Sequence, residues 1–210
     1  MLAIITAGVA PALALMSFFY LKDKITEPIT LIVRTFIYGS LIVFPIMFIQ
    51  YAIDESGHLG NVFIQSFFVV AFLEEFFKWF IFRYVIYQHT EFDAHYDGIV
   101  YAVSISLGFA TVENILYLFA NGIEYAFTRA LFPVSSHALF GVIMGYHFGK
   151  AKMNNRYVYW NIILALLIPL TLHGSYNFML SVTDKWAFVI IPFMIILWWF
   201  GLHRTRKATH

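Results

Sequence analysis

The chain has 210 residues, 61% of them hydrophobic and only 12% charged, with a mean hydropathy of +0.76. Soluble domains carry about 25% charged residues, so this composition predicts an integral membrane protein built as one domain over 1–210. The net charge of +1 says little about partners, and the lack of cysteine excludes disulfides, thiolate metal sites and a cysteine nucleophile.

A hydrocarbon core of about 30 Å needs about 20 apolar residues as helix. The first such run is Leu2–Leu21. No basic segment precedes it and Lys22 and Lys24 follow, which suits a retained helix better than a cleaved leader. Thr30–Ile53, Val62–Tyr87, Ile99–Ala120, Leu131–Gly149, Val158–Leu180 and Trp186–Leu202 come next, joined by short polar connections. The predicted fold class is all-α: a polytopic transmembrane helical bundle of about seven spans, or eight if the long third run splits. Lys22, Lys24, Lys150, Lys152, Arg156, Arg204, Arg206 and Lys207 fall on one side, against Arg129 and Lys185 on the other. The positive-inside rule then predicts an external N-terminus and a cytoplasmic C-terminus. Arg34 and Arg83 sit at span ends, from which they snorkel.

The polar residues left inside the spans are Glu74, Glu75, Lys78, Glu113, Asn114, His137, His173 and Asn177. Intramembrane ionisable groups are costly, and each is by default a functional candidate. Counted from the outer ends at 1.5 Å per residue, Glu74 lies about 18 Å deep, Glu113 about 10 Å, and His137 and His173 about 9 to 11 Å. Four helices of alternating direction thus bring glutamates and histidines to the outer half of the bilayer. Lys78 lies about 40° from Glu74 and about 60° from Glu75 round the helix, so the three share one face. Two carboxylates beside one ammonium in a low dielectric suit a general acid or base; a structural ion pair locking the helix is the competing explanation.

His173 and Asn177, four residues apart, can hold a water and donate to an oxyanion. A single membrane histidine also serves as a satisfied interhelical hydrogen-bonding group. Pro133 and Pro169 each precede a histidine by four residues and predict kinks there. Gly141, Gly145 and Gly149 form two overlapping G-x-x-x-G steps, a close-packing face. His58, His89, His95, His147 and the stretch "EFDAHYDG" read as interface or loop residues. No H-E-x-x-H, G-x-x-x-x-G-K-[ST] or G-x-S-x-G motif occurs, so nothing supports ATP-driven or serine-based chemistry.

The ordered segments "FLEEFFKWF", "FDAHYDGIVYAVSISLGFATVENILYL", "ALFPVSSHALFGVIMGYHFGKA" and "LHGSYNF" resemble the PrsW family of bacterial intramembrane proteases. The wider group is similar to the CAAX prenyl endoproteases and bacteriocin-processing proteins, regarded as glutamate-dependent. The resemblance implies that Glu74 and Glu75 supply the catalytic base and that His173 and Asn177 match an H-x-x-x-N motif. Glu113 stands where the wider group has histidine, a departure that His137 can compensate. Also implied is the first cut of a single-pass membrane anti-sigma factor on its outer side, a step of regulated intramembrane proteolysis in a stress response.

The expected activity is therefore that of a glutamate-dependent endopeptidase in the bacterial cell membrane. Glu74, Glu75, His173, His137 and Glu113 are its catalytic candidates, and Asn177, Lys78 and Asn114 support them. Its partners are the anti-sigma substrate and the lipid bilayer, with no nucleic acid and no cofactor. A zinc mechanism using the two His and two Glu competes within this reading. A proton-coupled transporter and a non-catalytic membrane subunit are the alternatives outside it.

Overall fold

Apolar runs separated by short polar connections satisfy their backbone internally as helices, the form a bilayer demands. The computed structural model describes residues 1–24, 26–57, 60–154 and 156–209, and His58 lies outside them. Six helices are long and apolar enough to cross a membrane: α1 (Leu2–Tyr20), α2 (Ile29–Glu55), α4 (His95–Asn121), α5 (Ile123–Met153), α6 (Val158–Val182) and α7 (Trp186–Ala208). Between α2 and α4, residues 62–86 form a further continuous helix, α3. Among the described residues there is no strand. The all-helical membrane prediction holds, whereas six spans, not seven or eight, meet the test of length and apolarity. Glu74, Glu75, Lys78 and Arg83 make α3 too charged to count by composition.

Helices α4 and α5 form the centre: 78% and 67% of their spanning windows are buried, against 22–28% for the other four. The central contact is glycine-mediated. A Cβ on Gly145 would overlap the Gly98 carbonyl oxygen, and one on Gly141 would crowd Ser106 and the Ala102 carbonyl. The G-x-x-x-G face of α5 therefore lies directly on the backbone of α4. Helix α2 meets the other side of α4 in the same way, Gly39 against Ile105 and Gly108 against Phe36.

Several boundaries differ from the sequence expectation, the largest shift being at the start of α5. Helix α5 begins eight residues before Leu131, at Ile123, because Gly122 adopts φ 111° and reverses the chain in one residue. Helix α3 contains two π-type stretches, Gln65–Ala71 and Phe82–Ile86, flanking the α-helical Phe72–Ile81. Phe72 N–H reaches Phe67 O and Tyr87 N–H reaches Phe82 O, five residues back, so each stretch alters the helical phase. Pro133 likewise falls in a π-type turn, Ala130–Val134, just before His137. His147 is a second difference in kind. Instead of lying at an interface or in a loop, it is buried where α5 faces Asn161 of α6.

Candidate active site

The α-helical part of α3 carries Glu74, Glu75 and Lys78 on one face, all three buried. The Lys78 ammonium donates to Glu75 Oε1 at 2.9 Å and to His137 Nδ1 at 3.1 Å, and lies 3.5 Å from Glu74 Oε2. It also sits 4.2 Å from the centroid of the Phe109 ring. A lysine ammonium only donates, so His137 Nδ1 accepts and its proton is on Nε2. That Nε2–H donates to Glu113 Oε2 at 3.0 Å.

The second imidazole is held in the opposite sense. His173 Nδ1–H donates to Glu75 Oε1 at 2.9 Å, because a carboxylate already receiving an ammonium is an acceptor. The Nε2 of His173 is left with its lone pair. Its ring stacks on Phe140 at 5.0 Å and meets the His137 ring edge-on at 5.1 Å. Between the two rings sits Glu74, whose Oε2 lies 3.9 Å from each Nε2. This oxygen is buried and makes no hydrogen bond.

Glu113 is the most accessible member, with 34% of its side chain exposed against 8% or less for Glu74, Glu75, His137 and His173. The cluster opens at Glu113. Its second oxygen accepts from Arg129 Nη2 at 3.1 Å, while Arg129 Nε donates to Asn114 Oδ1 at 2.8 Å. Asn114 uses its other end on Gly8 O of α1, at 3.1 Å. Asn114 is thus a brace under Arg129 and directs neither polar end at the glutamate pair. Asn177 Nδ2 makes no hydrogen bond and Asn177 touches none of the clustered groups by a polar contact. Arg129, which the sequence reading treated only as a loop charge, is 9% exposed and joins the site because α5 starts early.

The sequence-predicted residues therefore converge: Glu74, Glu75, Lys78, Glu113, His137 and His173 form one connected group from α3, α4, α5 and α6. A model of the PrsW family intramembrane metalloproteases matches residues 27–201. The chain belongs to this family. It is 62% identical to "Protease PrsW" of Oceanobacillus iheyensis, with 99% of this chain and 97% of that protein aligned. It is 53% identical to "Protease PrsW" of Bacillus subtilis over 99% and 96%, and 29% identical to that of Clostridioides difficile over 92% and 87%. No solved structure matches it closely enough to count as similar. As a PrsW-family member the protein is a multi-pass membrane peptidase, and the transporter and non-catalytic alternatives give way.

The family description names a metal, and the donor set fits one by type and spacing. One donor atom each from Glu74, Glu75, His137 and His173 lie within 4.8 Å of one another, and mixed imidazole and carboxylate donors suit zinc. Glu74 Oε2 and Glu75 Oε2 are both buried without a hydrogen bond, and His173 Nε2 keeps its lone pair.

Proposed function

We propose that this protease makes the first, extracytoplasmic cut in a single-pass membrane-anchored anti-sigma factor, with Glu74 as the base that activates water. One observation carries the assignment: Glu74 Oε2 is buried, unbonded, and 3.9 Å from Nε2 of both His137 and His173. A water between them gives its proton to Glu74 and its second hydrogen bond to His173 Nε2. The resulting hydroxide attacks the scissile carbonyl. His137 Nε2–H, already polarised by Lys78 at Nδ1, turns from Glu113 to the oxyanion. On collapse Glu74 returns its proton to the leaving amine. Glu75 holds His173 in the accepting tautomer, and Lys78 compensates the charge of the pair. Asn177 stands one turn beyond His173 with a free amide donor for the substrate backbone.

In this reading the whole chain is one membrane-embedded protease domain. Helix α3 is a seventh span, since its charges are consumed inside the bundle, and the positive-inside count puts the N-terminus outside. The opening at Glu113 then faces the outer half of the bilayer.

A second reading keeps the same residues as metal ligands and is favoured by the family's description. Glu74, Glu75, His137 and His173 would hold the ion, which supplies a Lewis acid for the scissile carbonyl. Against it, the Lys78 ammonium lies 2.9–3.5 Å from donor atoms of Glu74, Glu75 and His137, a positive charge that repels a second cation there. One experiment separates the readings: purified protein in detergent with a membrane-anchored anti-sigma substrate, with its metal content measured. Cleavage by metal-free protein, unaffected by chelator and lost in Glu74→Gln and His173→Ala variants that still fold, is expected. Activity that follows zinc content sinks the metal-free mechanism, and no cleavage by folded wild type sinks the substrate assignment.

A further inference from the structure

A second group of carboxylates lies at the other end of α4. Asp23 and Glu27, on the connection after α1, meet Asp97 in the first turn of α4, with one oxygen from each within 4.8 Å of the others. Along α4 this is about 24 Å from Glu113 at 1.5 Å per residue, so the two clusters are separate. Asp97 is 0% exposed. Its Oδ2 accepts the backbone N–H groups of Asp93 at 2.9 Å and Ala94 at 2.5 Å, whereas its Oδ1 is buried without a hydrogen bond. Glu27 is 5% exposed and accepts the Tyr101 hydroxyl on Oε2. Among the described residues, neither Glu27 nor Asp97 forms an ion pair with a lysine or arginine.

Three carboxyl groups enclosed together without a cation are expensive, and helix capping with a hydrogen bond shared between Glu27 and Asp97 satisfies Asp97 only in part. We propose that Asp23, Glu27 and Asp97 form a binding site for one divalent cation of the hard, oxygen-seeking class, Mg²⁺ or Ca²⁺. The donors are all oxygen, with no imidazole or thiol, which selects this class over zinc. Access exists: a cavity of about 130 Å³ lined by Asp23, Lys24, Ala94, Tyr96, Ala208 and Thr209 adjoins the cluster. Lys24 in its wall is turned away, donating to Thr209 O at 2.8 Å. The ion clamps the connection after α1 to the start of α4, the helix that carries Glu113.

Mn²⁺ titrated into the full-length protein in detergent, with free Mn²⁺ followed by electron paramagnetic resonance, tests the site. The expected result is one saturable Mn²⁺ per chain, displaced by Mg²⁺ or Ca²⁺. Affinity should fall at least tenfold in Glu27→Gln and Asp97→Asn and persist in Glu74→Gln. Asp97→Asn keeps the oxygen that caps α4, and circular dichroism checks its fold; if it does not fold, Glu27→Gln decides. Absence of saturable binding by wild type overturns the proposal. So does binding that survives Glu27→Gln but weakens in Glu74→Gln.

Discussion

At the residue scale, Lys78 is where the buried charges meet, and it makes the two adjacent glutamates unequal. Glu75 takes hydrogen bonds from Lys78 and His173 on Oε1, both at 2.9 Å, and has no exposure, whereas Glu74 lies 3.5 Å from the ammonium and receives no hydrogen bond from it. Substituting them should therefore give opposite patterns. Glu75→Gln leaves a buried ammonium without its main counter-charge and should cost about 3–5 kcal/mol of stability, read by thermal or denaturant unfolding in detergent. Glu74→Gln should cost little stability and lower turnover about 10²- to 10⁴-fold in the cleavage assay. Equal destabilisation by both would contradict the division of labour. Arg129 holds Glu113 from behind, so Arg129→Gln should lower turnover about tenfold, the worth of one charge-assisted hydrogen bond of about 1.5 kcal/mol, with partial recovery in Arg129→Lys. The candidate glutamates and histidines were legible because charge in an apolar run is conspicuous. Arg129 was missed although it lies in the apolar stretch 126–134, where an arginine needs a partner.

At the scale of elements, the meeting of α4 and α5 decides whether the histidine of one reaches the glutamate of the other. Gly145 sits where its Cβ would strike the Gly98 carbonyl, so Gly145→Leu must separate the helices. The expected loss is about 3 kcal/mol or more, with cleavage lost alongside it, measured by unfolding and by the cleavage assay. Gly60→Ala, with open space round its Cβ, should change neither. The close-packing face of α5 was visible as glycine spacing. The partner it would meet was not, because G-x-x-x-G specifies a smooth surface and not an address. The π-type stretches flanking Phe72–Ile81 were also invisible. A shift from i→i+4 to i→i+5 bonding changes no residue type, yet it re-aims every side chain beyond it.

For the whole molecule, the orientation across the bilayer is the quantity most open to direct measurement. The chain has no cysteine, so single cysteines introduced into it are unique labels. Cysteine at Ser56 or Ser181 should react with a membrane-impermeant thiol reagent added to intact cells, and cysteine at Lys152 or Lys207 should not. The reverse pattern would invert the topology and move the opening at Glu113 to the cytoplasmic side. The sequence alone determined that the chain is helical and membrane-embedded, and named the glutamates, lysine and histidines that cluster, since transfer free energy is a property of each segment taken singly. It could not determine that residues 62–86 form one continuous helix interrupted by two π-type stretches, nor where α5 begins. Only the tertiary structure decided which glutamate lies between the imidazoles, which tautomer each imidazole holds, and that Arg129 stands behind Glu113. Those depend on distances between atoms of different helices. The glycine contacts and π-type turns that set such distances act on helix approach and phase, which no local sequence pattern encodes.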